Sequence, residues 1–258
     1  MSQCVAVIPA RMAASRLPGK PLLDIHGTPM IVRVARIAQQ AACVDRVIVA
    51  TDDERIRQAV KDAGFKAWMT DPDHQTGTDR IAEVARELDA PIVINVQGDE
   101  PMLKPETIDA AAEPVLADPS IRMGTCVTPI RTTAEIFEPS CVKVIVDRQG
   151  FAQYFSRSPI PFVRDGEFTA EAFDVNAPGA PVFYKHIGIY VYRRDFLLEF
   201  TQMAPGRYEK AERLEQLRAL EAGVRISAPV VDQDVISVDT PAELDRVREL
   251  LSGGGANE

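Results

Sequence analysis

The stretch VAVIPARMAASRLPGKPLL, residues 5–23, decides the fold that we predict for this chain. It opens with an apolar run long enough for a buried strand. A polar loop follows, in which Arg11, Arg16 and Lys20 are separated mainly by small residues. A buried strand, a loop and then a helix is the arrangement with which α/β proteins build phosphate sites. Because the whole chain has a formal net charge of -9, three cations so close together predict a polyanionic ligand.

The composition is that of a globular protein of 258 residues, with 46% hydrophobic and 26% charged residues. The acidic balance argues against nucleic acid as a partner. No apolar run approaches the roughly 18 residues of a membrane span, and the N-terminus lacks the basic residues of a signal peptide. The four cysteines are widely spaced, which favours reduced thiols over disulfides or a metal site. We therefore expect a cytoplasmic protein without membrane insertion.

The first half of the chain alternates strand-like and helix-like patterns at short spacing, which is typical of a parallel sheet covered by helices. The predicted strands are residues 5–8, 46–51, 66–69 and 91–96. The predicted helices are residues 29–40, 54–63, a stretch within 73–90 that begins near Thr76, and 105–117. These patterns predict an α/β fold with a mainly parallel sheet.

The second half is richer in strand patterns, and DRQG at residues 147–150 predicts a hairpin turn. The predicted strands are residues 124–129, 142–146, 151–155, 182–192, 225–228 and 235–238, and the predicted helices are 194–201, 209–221 and one that opens at Thr240. A polar excursion at residues 163–181 predicts a mobile loop or an exposed subunit arm, to which we assign no role. The Gly-rich tail, residues 252–258, is expected to be flexible.

Two aspartates are candidates for holding Mg²⁺ against phosphates. Asp99 follows the most apolar predicted strand, so it shares a sheet edge with the basic loop, and Mg²⁺ prefers such hard oxygen ligands. The alternative is that Asp99 caps a turn. Asp239, in VDTP, is either a second metal carboxylate or the cap of the last helix. Spacing cannot decide, because the two aspartates lie 140 residues apart in the sequence.

A further pair, His186 and Tyr190, lies four residues apart on one predicted strand, so both side chains share a face. That face is either the floor of a binding groove or part of a packed core. The basic loop is not a Walker A loop, because Ala14 and Pro21 stand where that motif needs Gly and Ser or Thr, and GxGxxG is absent from the sequence.

The chain resembles the CMP-Kdo synthetases, that is, the 3-deoxy-manno-octulosonate cytidylyltransferases. The similar motifs, in family order, are IPARMAASRLPGKPL, ATDD, DHQTGTDR, NVQGDEP, VKVIVD, YFSRSPIPF, KHIGIYVYR, LEQLRALEAG and VDTPAELDRVR. They extend over nearly the whole chain. The resemblance implies transfer of CMP from CTP to the anomeric hydroxyl of Kdo, with release of pyrophosphate, for lipopolysaccharide biosynthesis.

The resemblance also implies an architecture and partners. The fold would be that of the nucleotide-diphospho-sugar transferases, with a smaller β-rich dimerisation lobe, and the enzyme would be a cytoplasmic, Mg²⁺-dependent homodimer. We expect residues 1–258 to form a single cytidylyltransferase domain. Its nucleotide-binding core would comprise about 1–120 and 205–250, and its sugar-binding and dimerisation lobe about 121–204.

The motifs assign roles to individual residues. The nucleotide-binding residues implied are Arg11, Arg16, Lys20, Thr76 and Arg80. The catalytic residues are Lys20, Asp99 and Asp239, of which the two aspartates would bind the metal. The sugar-binding residues are Gln97, Arg157, His186, Tyr190, Glu215 and Gln216, with Arg157 as a partner for the sugar carboxylate.

Two other functions stay open at this point. The same reaction on 8-amino-Kdo is compatible with the motifs, whereas sialic acid is less so, because the sialic acid enzymes usually have a Gly-rich, Lys-containing first loop. A non-catalytic nucleotide-sugar-binding module on the same fold is the alternative from another class. Such a module has no need to keep Lys20, Asp99 and Asp239 together.

Overall fold

The computed structural model describes residues 3–13, 17–165, 167–233 and 236–253. Its contacts divide the described residues into two compact units. The first unit takes those within Met1–Asp109, Val191–Thr201 and Val235–Glu258, and the second those within Ala110–Tyr190 and Gln202–Asp234. Over the described ranges, no helix has the length and apolar character needed to cross a bilayer.

Strands and helices follow one another along the chain much as the sequence predicts. The strands are β1 Cys4–Ala10, β2 Asp24–Ile25, β3 Thr28–Pro29, β4 Arg46–Thr51, β5 Lys66–Met69, β6 Ile92–Val96, β7 Met123–Pro129, β8 Lys143–Val146, β9 Phe151–Ser156, β10 Tyr184–Arg193 and β11 Ile226–Ser227. The helices are α1 Met30–Gln40, α2 Glu54–Asp62, α3 Gly77–Arg86, α4 Pro105–Ala117, α5 Thr133–Phe137, α6 Arg194–Phe200, α7 Arg207–Glu212, α8 Gln216–Glu221 and α9 Pro241–Gly253. A short 3-10 helix, Lys20–Leu22, precedes β2.

The first unit is built on parallel strands in the order β5-β4-β1-β6. Strand β1 lies between β4 and β6, with Val7 opposite Ile48 on one side and Asn95 on the other. Nearly every residue of β1 is buried, because helices cover both faces of such a sheet. Helix α1 turns an apolar face inward, and its buried residues include Met30 and Val34.

The second unit mixes parallel and antiparallel pairs in the order β10-β7-β11-β9-β8. Strand β11 runs parallel to β7 and antiparallel to β9. The predicted hairpin joins β8 to β9, and Gly150 takes a φ of 81° in its turn. The irregular excursion before β10 is packed: the ring of Phe168 lies 5.0 Å from that of Phe173 and 5.9 Å from that of Phe183. These aromatic side chains give a stretch predicted to be mobile a small core of its own.

The α/β class and the mainly parallel sheet flanked by helices are confirmed. Two predicted elements are wrong. The helix predicted over residues 209–221 is two helices, because Arg213 between them takes a left-handed φ of 52°. The strand predicted at 235–238 begins outside the described residues, and residues 236–238 form no strand. Instead the backbone N–H of Val238 donates to the carbonyl oxygen of Asp99 at 2.9 Å.

The predicted division into core and lobe stays a prediction. One difference is visible in the contacts, because residues 205–233 group with the second unit and not with the nucleotide-binding core. The reason is the pairing of β11 with β7 and β9. All four cysteines are free thiols, and burial raises the pKa of Cys126 to about 12, which makes that thiol unreactive at neutral pH.

The cap of α2 gives a test of this fold that is independent of function. The Asp53 carboxylate accepts a hydrogen bond from the backbone N–H of Arg55 at 2.8 Å. We expect Asp53→Ala to lower the free energy of unfolding by about 1 kcal/mol, because a helix N–H loses its acceptor. The control Asp53→Asn keeps a capping oxygen and should retain most of that stability in urea denaturation. Equal losses in both variants would assign the effect to the exposed ion pair with Arg55 instead.

Candidate functional site

A cavity of about 320 Å³ opens in the first unit at the carboxyl ends of β1 and β6. These strands are neighbours in the sheet, whereas β4, the next strand of that sheet along the chain, pairs with the other side of β1. Parallel sheets bind ligands where successive connections diverge in this way, because the loops there open a crevice. Gly98 permits the close approach of the two strand ends, since a Cβ atom on it would lie only 3.1 Å from the carbonyl oxygen of Pro9.

Seven of the residues predicted from the sequence line this cavity. They are Arg11, Lys20, Thr76, Arg80, Gln97, Asp99 and Asp239. They come from four separate parts of the chain, all of which reach the same edge of the sheet. Arg16, predicted to bind the triphosphate, lies outside the described residues.

Lys20 is the cation at the centre of the site. Its Nζ donates to Asp99 Oδ2 at 2.7 Å and to Asp239 Oδ1 at 3.0 Å. Burial of the ammonium acts to lower its pKa, but the two carboxylates more than offset this, so the pKa of Lys20 is raised above its ordinary 10.5. The side chain is therefore fully charged at neutral pH. Gly19, with a φ of 73°, turns the chain into the 3-10 helix that starts at Lys20.

Asp239 reaches this point because the segment before α9 is attached to the end of β6. The Val238–Asp99 backbone hydrogen bond makes this attachment. The alternative was that Asp239 caps α9. Thr240 takes that role instead, because its Oγ1 accepts a hydrogen bond from the backbone N–H of Glu243 at 3.3 Å. Glu243 in turn accepts from the backbone N–H of Asp239 at 2.7 Å. The Asp239 carboxylate is thus directed to Lys20.

The pair formed by Asp99 and Asp239 has the chemistry of a divalent-cation site. Two carboxylate oxygens within 3.0 Å of one ammonium nitrogen already share a cation. Mg²⁺ in phosphate-binding sites commonly takes one or two protein carboxylates and fills its shell with phosphate oxygens and water. In the part of the chain that the structure describes, no group of three or more His, Cys, Asp or Glu residues is arranged to hold a metal. The two aspartates therefore fit Mg²⁺ as a partner of a phosphate ligand.

Thr76 and Arg80 form another part of the cavity wall. Thr76 caps α3 in a reciprocal pair with Asp79, accepting from its N–H at 3.1 Å and donating its own N–H to the Asp79 carboxylate at 3.2 Å. The Arg80 guanidinium is buried and donates to Asp52 Oδ2 at 3.0 Å and to the hydroxyl of Thr70. These hydrogen bonds to Asp52 and Thr70 hold the Arg80 side chain in a fixed position in the cavity wall.

Sequence reasoning missed His74, which also lines the cavity. Its Nε2 is bound to the carboxylate of Glu83, one of the residues of α3. Glu83 also accepts from the backbone N–H of Asp71 at 3.0 Å, so the loop is held against the helix. His74 could have been proposed from its position in the chain, because its loop joins β5 to the N-terminus of α3 at the same sheet edge.

The remaining sugar-site candidates lie in the second unit, where the structure brings three of them together. The rings of His186 and Tyr190 are 5.2 Å apart on β10, so these side chains share a face as predicted. Thr125 donates its hydroxyl to the carbonyl of Ile189 at 2.7 Å, which leaves its oxygen to accept from His186 Nε2 at 2.9 Å. Burial, and then the charge of Glu215, raise the pKa of Tyr190, so its hydroxyl stays protonated.

Arg157 and Gln216 are the other candidates in this unit. Arg157 Nε donates to the carbonyl oxygen of Glu212 at 2.7 Å, and its NH1 donates to that of Pro139 at 3.0 Å. These neutral acceptors fix the guanidinium in place. Gln216 is buried in the first turn of α8, next to Glu215 at the N-cap position.

Comparison with known proteins gives consistent matches. The Cytidylyltransferase family model matches residues 5–226. The 3-deoxy-manno-octulosonate cytidylyltransferase of Geobacter sulfurreducens is 51% identical over 248 residues, covering 95% of this chain and 98% of the relative. That of Pelobacter propionicus is 54% identical over 246 residues, covering 95% of each chain. A solved structure of CMP:2-keto-3-deoxy-manno-octonic acid synthetase complexed with CTP superimposes with a TM-score of 0.89, at 46% identity, covering 98% of this chain and 100% of the other.

The buried environment of His186 predicts a pH dependence of stability. Burial lowers its pKa from 6.5 to about 4, so over this interval the unfolded chain binds a proton that the folded chain does not. Stability that is complete above pH 6.5 is therefore lost as the pH falls towards 4. Between about pH 7 and about pH 5, we expect wild type to lose more unfolding free energy than His186→Asn does, as measured by urea denaturation. Identical losses would show that His186 does not contribute.

Proposed function

Because the chain belongs to the 3-deoxy-manno-octulosonate cytidylyltransferase family, we propose that it transfers CMP from CTP to the anomeric hydroxyl of Kdo and releases pyrophosphate. The resemblance drawn from the sequence motifs, and with it the class of nucleotidyltransferase, is confirmed. The observation that carries the proposal is the convergence of Lys20, Asp99 and Asp239 on a cavity that Arg11 also lines.

The proposed reaction is a single in-line displacement. The sugar hydroxyl oxygen forms a bond to the α-phosphorus of CTP as the bond to the leaving pyrophosphate breaks, and the hydroxyl releases its proton to the solvent. Charge builds on the phosphate oxygens and on the pyrophosphate, so fixed cations are the main contribution a protein can make. Lys20 and Arg11 supply that charge at the cavity, and Arg16 is proposed to join them. A covalent enzyme intermediate is not needed.

Asp99 and Asp239 are the residues that would hold Mg²⁺. When bound, the metal would lower the pKa of the attacking hydroxyl and neutralise charge on the entering and leaving oxygens. The contribution of this chain is to present two carboxylates from distant parts of the sequence at one point. The backbone hydrogen bond from Val238 to Asp99 holds the two segments together. Thr76 and Arg80, which line the same cavity, are proposed to contact the nucleotide.

The sugar-binding assignment rests on the motifs and on the protonation states in the second unit. His186 is neutral at pH 7 and Tyr190 is protonated, so both can form hydrogen bonds with sugar hydroxyls without changing charge. Arg157 is proposed as the partner of the sugar carboxylate. Gln97, Glu215 and Gln216 complete the proposed set.

One assay separates the alternatives. Pyrophosphate release from CTP and Mg²⁺ is measured with Kdo, 8-amino-Kdo and sialic acid in parallel. Release with Kdo as the preferred acid supports the proposal, and a preference for 8-amino-Kdo would change the substrate but not the mechanism. The absence of release with every acid would favour the non-catalytic binding module.

The cellular context is proposed from the family and from the free thiols. CMP-Kdo is an activated sugar of the kind that lipopolysaccharide assembly consumes, and reduced cysteines suit the cytoplasm.

The enzyme is proposed to be a homodimer. Phe162 and Val182 are exposed to 75% and 60%, which makes them candidates for a subunit contact. Sedimentation should find a dimer, and Phe162→Ser should weaken it. A monomer at all protein concentrations would contradict this proposal.

The two carboxylates give the sharpest test of the mechanism. We expect Asp99→Asn and Asp239→Asn each to lower kcat by about two orders of magnitude or more, because charge stabilisation of the transferred phosphoryl group is lost. The folded state should survive, which thermal denaturation would show. The control is Asp62→Asn, at the end of α2, which changes the net charge equally and should leave kcat unchanged. Turnover near that of wild type in either test variant would remove that aspartate from the metal site.

A further inference from the structure

The ammonium of Lys20 occupies the position at which the proposed function requires a metal cation. It donates to oxygens of both Asp99 and Asp239, at 2.7 and 3.0 Å. Mg²⁺ binds its oxygen ligands at about 2.0–2.1 Å and demands a near-octahedral shell. The same two oxygens therefore cannot bind the ion while the ammonium remains between them. The positive charge of Lys20 also repels a divalent cation directly.

We propose that Lys20 is a built-in counter-ion that couples metal binding to nucleotide binding; this inference rests on the function proposed above. Without nucleotide, Lys20 neutralises part of the charge of the aspartate pair and competes with Mg²⁺ for it. When CTP enters, its phosphate oxygens offer the ammonium another set of acceptors. Lys20 moves to the phosphates and the two carboxylates accept the metal. Each ligand then favours the other, and the coupling is reciprocal.

The local structure allows this exchange without moving the backbone. Lys20 begins the short 3-10 helix, and its carbonyl oxygen accepts from the N–H of Leu23 at 3.1 Å. Pro21, the next residue, is buried, so the main chain is held while a four-carbon side chain rotates. Arg11 lines the same cavity as Lys20 and both carboxylates, so the side chain needs to move only within one cavity. Because the Lys20 side chain is mostly buried, the ammonium can leave the aspartate pair only when another anionic partner is available.

Competition for the carboxylates is tested with Mg²⁺ alone, by isothermal titration calorimetry without nucleotide. Lys20→Met keeps an unbranched side chain of similar length and removes its charge. We expect it to bind Mg²⁺ about tenfold or more tightly than wild type does, a difference of about 1.4 kcal/mol. Adding Asp99→Asn to this variant should abolish the gain. Lys61→Met, on the exposed surface of α2, is the matched control for net charge and should bind like wild type.

Release of the ammonium is tested with CTP in the presence of EDTA, so that no metal contributes. Asp99→Asn loosens the hold on Lys20, and we expect it to bind metal-free CTP more tightly than wild type does. Removal of a negative charge would strengthen the binding of any anion. The effect of Asp99→Asn on CTP affinity is therefore also measured in the Lys20→Met background, which completes a double-mutant cycle. There the Asp99→Asn gain should shrink at least about threefold, because the ammonium that it frees is gone.

The outcomes separate this proposal from the function on which it rests. Equal Mg²⁺ affinity in wild type and Lys20→Met, or an Asp99→Asn gain that is the same in both backgrounds, would overturn the counter-ion role. Neither result would contradict the proposed transferase activity, because that activity is measured separately, as pyrophosphate release by the wild-type protein. Failure of that release assay, with the calorimetric difference present, would instead overturn the proposed reaction and leave the counter-ion in place.

Discussion

The site depends on one interaction, the sharing of the Lys20 ammonium between two carboxylates that lie 79 and 219 residues away in the sequence. Charges placed together in a half-buried crevice cost free energy unless they are paired. The fold meets this condition by bringing three distant segments to the same edge of a parallel sheet. The first follows β1, the second follows β6, and the third precedes α9. The proposed binding of metal and nucleotide in the cavity presupposes that these charged groups are held together.

Much of this edge could be predicted from residues alone. An apolar run that ends in a basic loop identifies β1, and a still more apolar run that ends in a carboxylate identifies β6. The carboxyl ends of parallel strands meet on one side of a sheet, so Lys20 and Asp99 were expected to be neighbours. Their shared edge follows from strand direction and order, whereas the hydrogen bond between them is a finding of the structure, because the sequence patterns assigned Lys20 to phosphate and Asp99 to metal. The identity of the sugar acid, in contrast, came only from resemblance to a family.

Other features could not be predicted, because they depend on contacts between segments that no local pattern encodes. The local sequence of Asp239 is equally compatible with a helix cap, and the backbone hydrogen bond from Val238 to Asp99 brings its side chain to the site. Arg213 interrupts a helical pattern because its φ is left-handed, and an arginine in the sequence does not predict such a conformation. His74 sits in a polar loop of ordinary composition, and its orientation follows from Glu83 on α3. For Asp239 and His74, hydrogen bonds to other segments of the chain, which the local sequence pattern does not encode, place the side chain at the cavity.

The attachment of the last segment to β6 also has a consequence for the order in which the molecule is made. Translation produces Lys20 and Asp99 long before Asp239, yet all three take part in the ion pairs of the crevice. A nascent chain that has folded its first strands therefore carries an ammonium with one carboxylate in place of two. The cavity acquires its final electrostatic character only when the residues before α9 dock onto the end of β6. The proposed site for a metal and a triphosphate is therefore complete only after the residues before α9 have been synthesised and have docked.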